Sequence, residues 1–384
     1  MSFVHLHNHS YFSLLDGLSR PTEMVQRVAE LEQPAIAITD HGSLSGLFQL
    51  WKACQGTGVK PIAGCEFYIA PSSRTTKEAY YLGTPEQRSD DLSYGAYGHI
   101  TVVAYTAEGV RNLYRMQAEA FATGFWHKPR IDLELLQQHK EGLICLTGCP
   151  GGLLSTAIRI GQLDYAKAHL RQLLDIFGDK LYIEIMAHGI DFEKELNGHL
   201  LSFSKEYEIP AVVTGDSHFV YPQHSRVHSA LLCIQTRSQL SSPKFQFTGS
   251  GYHIASVAEM ERLLDAAQLP HSLVQTTCEV GDAVETYDPI FEHRLRMPVW
   301  GNNSHEEIEN RVKAWLADND SDDYWRRAIY ELDTIISLGF ADYFLVLADI
   351  LGEARESGIR IGPGRGSAGG SLVAYALGIT QLDP

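Results

Sequence analysis

The segment Phe3-Val-His-Leu-His-Asn-His-Ser10 sets His5, His7 and His9 at every second position of a short apolar stretch. Read as a strand, that spacing puts three imidazoles on one face. Imidazoles crowded together need a common partner, and a divalent transition metal (zinc, manganese or iron) is the usual one. A solvated edge strand or an affinity-tag remnant would show the same triplet, so the rest of the chain must decide. Histidines, acids and a cysteine recur beside the other apolar stretches. Asp16 follows the first of them, Asp40-His41 closes Pro34–Thr39, and Glu66 sits late in Lys60–Ile69. Cys149 lies just past Leu143–Thr147, and Asp216-Ser-His218 follows Pro210–Thr214. Such a set exceeds the four donors of one tetrahedral zinc site. Several metal ions close together, bridged by carboxylates, suit hydrolysis of a phosphate ester.

The intervening sequence supplies a scaffold. Amphipathic helical patterns cover Ser19–Leu31, Leu44–Ala53, Glu108–Phe121, Leu153–Phe177 and Asp191–Tyr207, and near-continuous apolar strands alternate with them. That rhythm predicts a parallel sheet covered by helices and closed as a β/α barrel. The C-terminal ends of barrel strands converge on one face, where distant residues meet. His99 is the misfit, because it opens the stretch His99–Tyr105 instead of closing one. The polar insertion Ser72–Tyr97 before it reads as a surface loop or hairpin. Beyond about Gln223 the pattern turns helical, with helices expected at Val257–Ala267, Ser272–Val284, Glu306–Ala317 and Asp322–Leu338, then the apolar segment Phe340–Leu351.

The 384 residues carry a formal charge of −16, which repels nucleic acid on average and leaves DNA contact to a local groove. The six cysteines show no CxxC pair or disulfide framework, and no apolar run is long enough to span a bilayer. A cytoplasmic location is the default expectation, with no membrane partner.

His5-Leu-His-Asn-His-Ser10, Ser13-Leu-Leu-Asp-Gly17, Ile38-Thr-Asp-His-Gly-Ser43, Lys60-Pro-Ile-Ala-Gly-Cys-Glu66 and Thr214-Gly-Asp-Ser-His218 resemble the polymerase-and-histidinol-phosphatase (PHP) domain, and most closely that of the bacterial DNA polymerase III alpha family. The resemblance implies a seven-stranded β/α barrel holding up to three metals. Its ligands would be His7, His9, Asp16, His41, Glu66, His99, Cys149, Asp216 and His218, with His5 and Asp40 second to them or facing substrate. It also implies 3′–5′ exonuclease (proofreading) activity on a DNA primer end, in which Asp16, His99 and Asp216 are essential. Two alternatives remain open: a non-catalytic, metal-stabilised docking module, and a small-molecule phosphatase of the histidinol-phosphate type.

Gly362-Pro-Gly-Arg-Gly-Ser-Ala-Gly-Gly-Ser371 is glycine-dense and lacks the Gly-Lys-Ser/Thr of a P-loop. It resembles the start of the palm in the same family, which places Arg365, Gly366, Ser367 and Ser371 on the phosphate side of a nucleotide. The expected division is a PHP barrel over 1–285, a helical thumb-like segment over 286–352 and a partial palm over 353–384. The chain reaches Leu382-Asp-Pro384 ahead of the family's palm carboxylates. A truncated, split or stand-alone product is therefore expected, unable to polymerise DNA alone. A separate chain with the rest of the polymerase, other replisome subunits, and magnesium for the completed polymerase would accompany it.

Overall fold

The computed structural model describes residues 2–84, 94–291 and 296–384, so parts of the expected insertion (85–93) and linker (292–295) lie outside the described residues. It divides into two compact units, Met1–Glu292 and His293–Pro384. The first is built on strands β1 (Ala35–Ile38), β2 (Lys60–Ile69), β3 (Tyr80–Tyr81), β4 (Tyr94–Gly95), β5 (Gly98–Ala104), β6 (Phe125–Trp126), β7 (Lys128–Ile131), β8 (Leu143–Leu146), β9 (Leu181–Met186) and β10 (Ala211–Thr214).

The main sheet runs β10-β9-β8-β5-β2, with β1 beside β2, and it curls. The N-terminal segment completes the ring of neighbours. The His5 carbonyl accepts from Ala37 N–H (2.7 Å), and Asn8 pairs alongside Ser217, with His9 N–H donating to the Ser217 carbonyl (2.7 Å). This segment forms isolated bridges to both flanks, not the continuous strand expected, but it keeps the alternation that points His7 and His9 inward. Counting it, seven extended segments surround the core.

One strand departs from the expected parallel order. β1, β2, β8, β9 and β10 pair in parallel where they are adjacent, whereas β5 is antiparallel to both β2 and β8. The cause lies in the connection before it. A parallel return needs a crossover, usually a helix, and the segment after β2 forms none among its described residues. It makes instead a small antiparallel pair, β3 with β4, and re-enters at the end it left, so that Ile69 lies opposite Gly98. β7 adds on the other side of β2.

The strands are largely apolar because helices cover their outer face and the inner face is buried within the curled sheet. In Pro21–Glu30 the buried residues Pro21, Met24, Val25 and Val28 fall at helical spacing on one stripe. In Ala107–Ala122, Val110, Leu113, Met116 and Ala120 do the same. Gly109 lets this helix touch the turn before β8, since a Cβ there would lie 2.0 Å from the Gly142 carbonyl oxygen.

The second unit is helical: Ser304–Asp318, Asp322–Ser337, Ala341–Glu356 and the short Leu372–Ala376. Ile308, Val312, Leu316, Leu332, Leu345, Leu372 and Val373 share its core. The helix Ala341–Glu356 runs across the expected boundary at 352/353, and the glycine-rich segment packs with the helices before it. Among the described residues no single helix is long and apolar enough to cross a membrane.

Gly109→Ala separates packing from propensity. Helix propensity alone favours Ala by about 1 kcal/mol; the backbone contact reverses the sign, and urea unfolding should show a net loss of about 2 kcal/mol or more.

Candidate metal centre

The reversal of β5 resolves the misfit of His99. The start of β5 lies at the same end of the sheet as the C-terminal ends of the other strands, so His99 joins residues that follow those ends. All nine expected ligands gather there. Glu66 is the hub. Its Oε1 lies 3.1 Å from His99 Nδ1 and 3.6 Å from His7 Nε2. Its Oε2 lies 2.7 Å from His41 Nδ1 and 3.4 Å from His9 Nε2. Asp216 Oδ1 approaches His9 Nε2 (3.1 Å) and His7 Nε2 (3.4 Å), while Asp16 Oδ2 approaches His41 Nε2 (2.9 Å) and His218 Nε2 (3.4 Å). Cys149 Sγ is 3.3 Å from His99 Nδ1. Asp216 holds a left-handed backbone, φ 45°, a conformation Asp tolerates better than most residues.

Partners behind the histidines set their tautomers. Glu184 is buried and accepts from Thr214 Oγ1 (2.6 Å) and Gly148 N–H (3.1 Å), so His7 Nδ1 must donate to it (2.6 Å), leaving the Nε2 lone pair for the cluster. Ser13 donates its hydroxyl to Asp40 (2.7 Å), so His9 Nδ1 must donate to Ser13 Oγ (2.9 Å), again freeing Nε2. His218 Nδ1 donates to the Asp216 carbonyl (2.7 Å). A ligating imidazole needs this support, with one nitrogen anchored and the other presented.

Asp40 thus stands behind His9, through Ser13. His5 is elsewhere: its Nε2 meets the Ala255 carbonyl at 3.0 Å, its ring packs on Phe3, and burial drives its pKa down to about 4. The sequence reading missed Glu184, Ser13 and His228, whose Nε2 holds the Asp16 carbonyl (2.9 Å). Glu184 had a signal, a lone carboxylate inside the apolar run Leu181-Tyr-Ile-Glu-Ile185.

Electrostatics bind the cluster together. Burial disfavours the Glu66 charge, but His99, His41 and His7 outweigh it and hold the carboxyl well below its usual range. Burial likewise opposes ionisation of Asp16, which His218 and His41 overcome, and of Asp216, which His218 and His7 overcome. Burial and then the charges of His41 and His218 push His9 down to about 3. For His41, burial is overcome by Glu66 and Asp16, and its pKa rises to about 10. Burial raises the Cys149 thiol.

The donor set fits divalent metal. Both oxygens of Glu66, Oδ1 of Asp216 and Nδ1 of His41 are buried without a well-formed hydrogen bond, a costly state unless another partner is supplied. Three overlapping groups, His9/His41/His218, His7/His9/Glu66 and His41/Glu66/His99, each bring their donor atoms within 4.8 Å of one another. Imidazole, carboxylate and thiol are the ligands of zinc, iron and manganese. Seven of the nine donors line a cavity of about 510 Å³; His7 and His9 are fully buried.

Residues 5–188 match the PHP domain, and residues 303–384 match the bacterial DNA polymerase III alpha NTPase domain. Along its whole length the chain is 41% identical to the DNA polymerase III subunit alpha of Mycobacterium tuberculosis (strain H37Rv), covering 33% of it. It is 34% identical to the subunits of Thermus aquaticus and Aquifex aeolicus, covering 36% and 34% of each. The chain belongs to the DNA polymerase III alpha family. It spans about a third of the length of these curated relatives. A solved amidohydrolase from Chromobacterium violaceum aligns with 69% of the chain and 97% of its own length at 15% identity and a TM-score of 0.34.

In the segment matching the polymerase III alpha family model, Arg365, Gly366 and Ser367 are exposed and Gly366–Gly370 forms a short 3₁₀ helix. Ser371 is otherwise engaged. Its hydroxyl donates to Glu331 Oε2 (2.8 Å) and accepts from Ala374 N–H (3.1 Å). Glu331 also accepts from the N–H groups of Leu372 (3.2 Å) and Val373 (3.0 Å), so its carboxylate, paired with Arg327 (2.5 Å), is the anion at the start of this helix.

Two substitutions test these supports. Glu184→Ala unanchors His7 and should weaken metal binding about 10–100-fold in competition with a chromophoric chelator. Glu331→Ala strips the start of Leu372–Ala376 of its acceptor; thermal unfolding of the chain should show a loss of about 2–3 kcal/mol, with Glu331→Gln in between.

Proposed function

We propose that the first unit binds up to three divalent ions, zinc, manganese or iron, and hydrolyses DNA phosphodiesters from a primer 3′ end, as the proofreading nuclease of a cytoplasmic replicative polymerase. The observation that carries this reading is Glu66: a buried carboxylate with both oxygens unsatisfied, ringed by four imidazoles. Such ions, when bound, supply Lewis-acid activation of water and neutralise charge on the phosphodiester and its leaving oxygen.

The chain's own residues prepare that chemistry. Glu184 and Ser13 hold His7 and His9 with Nε2 presented. Glu66, Asp16 and Asp216 are kept anionic by their imidazole neighbours. Arg159, stacked over Phe192 with its guanidinium 4.0 Å from the ring centroid, lines the cavity and offers a cation to a phosphate there. For the completed protein, DNA, other replisome subunits, the remainder of the polymerase and magnesium are the proposed partners.

The complete burial of His7 and His9 favours a second reading, in which the ions only brace the barrel. The two part on one assay. With metal loaded, the chain should shorten a mismatched primer from its 3′ end, and Asp16→Asn, His99→Ala and Asp216→Asn should each slow this by about 100-fold or more. A metal-loaded chain that leaves the primer intact, yet loses melting temperature on chelation, is the bracing module.

A further inference from the structure

Resting on the phosphodiesterase reading, we infer that the cavity takes an unpaired 3′-terminal nucleotide, whose base stacks on Phe245 whatever its identity. Phe245 lies in a long irregular segment between the helices Ser225–Thr236 and Val257–Ala267. Its local sequence is polar, Ser241-Ser-Pro-Lys-Phe-Gln-Phe-Thr-Gly-Ser250, and the residue is 51% exposed. A lone exposed aromatic is unremarkable. This one also lines the cavity that holds the metal ligands, and it ends a train of rings that starts at one of them.

His218 meets Phe247 edge-on with centroids 4.7 Å apart, and Phe247 meets Phe245 at 5.7 Å and 84°. Phe247 is also packed by Tyr252 at 4.5 Å, and Tyr252 stacks flat on His188 at 4.0 Å and 6°. The inner rings are thus held on several sides, while Phe245 keeps much of its surface open. The segment is pinned at its far end, where Ser250 N–H donates to the His188 carbonyl (2.9 Å) and His218 N–H donates to that of Tyr252 (2.9 Å). Gly249, at φ 81°, passes so close that a Cβ would lie 2.2 Å from the His188 oxygen. The platform is therefore placed relative to the cluster.

The chemistry of the walls selects the ligand. Carboxylates and imidazoles hold cations, and Arg159 is the Lys/Arg side chain lining the cavity among the described residues, so the anchored group is an anionic phosphodiester. An aromatic ring beside it accepts any base through its π-face, with little preference for sequence. A terminal base in a duplex is held by its complement and by the pair beneath it, so only a frayed or mismatched end is free to swing out and stack here. Exposed Lys244 adjoins Phe245 in sequence and adds a positive charge beside the platform on a chain that is otherwise acidic.

The test is optical. An oligonucleotide with 3′-terminal 2-aminopurine and a hydrolysis-resistant phosphorothioate at the last linkage is titrated with the metal-loaded 384-residue chain. Stacking should quench the fluorophore at an unpaired end and spare it at a paired end. Phe245→Ala should weaken the quenching titration about tenfold, and Phe245→Trp should restore it. Quenching that is absent from the parent chain, unchanged in Phe245→Ala or equal for paired and unpaired ends overturns the inference. If quenching follows Phe245 while an unmodified oligonucleotide stays uncut, the base site stands and the hydrolytic reading alone fails.

Discussion

A carboxylate with 1% of its surface exposed, as Glu66 has, is normally neutral or paired. Here it is neither singly paired nor satisfied by hydrogen bonds, and its charge is sustained by four imidazoles contributed from three separate parts of the chain. The rest of the first unit follows from this arrangement. His7 and His9 reach Glu66 only if the N-terminal segment lies between β1 and the stretch after β10. His41 reaches it from the end of β1, and His99 only if β5 runs backwards. Cations at the centre would therefore do two things at once: remove the desolvation cost of the acids, and tie together segments far apart in sequence.

Around that centre the polarity is graded. The innermost donors offer lone pairs. Behind them Glu184, Ser13, Asp40 and the Asp216 carbonyl absorb the outward N–H groups, and behind those come the helix-covered apolar strands. The carboxylates of Glu184 and Asp40 are the outermost charges of this grading, and beyond them the contacts are apolar, so that a many-charged site can sit in a core otherwise made of Ile, Val, Leu and Ala.

Much of this was legible in the sequence, because strand-end positions are marked by abrupt changes of residue type. His41 after an apolar strand, Glu66 inside one and His218 four residues beyond another stood out in that way. The orientation of β5 was hidden because an apolar strand looks the same in either direction. The informative feature was the polar insertion Ser72–Tyr97, which stands where the sequence of a crossover would carry an amphipathic helical pattern. Ser13 and His228 were hidden for another reason. Their roles depend on a second residue whose distance is set only by the fold, and a serine or a lone histidine has no distinctive local context. β6, β7 and the helix Leu133–Gln138 were missed as too short to show a period. In the second unit, the partnership of Glu331 with Ser371 joins residues forty positions apart that both look like ordinary surface polar groups.

The reversed strand also bears on how this architecture can vary. A helical crossover must span the height of the barrel, so its length is bounded from below by geometry. The connection from β2 to β5 starts and finishes at the rim of the cavity and has no such span to make. Residues can be added to it or removed from it without shifting the register of any strand. The barrel thus has an adjustable edge at the end of the sheet where the candidate metal ligands gather.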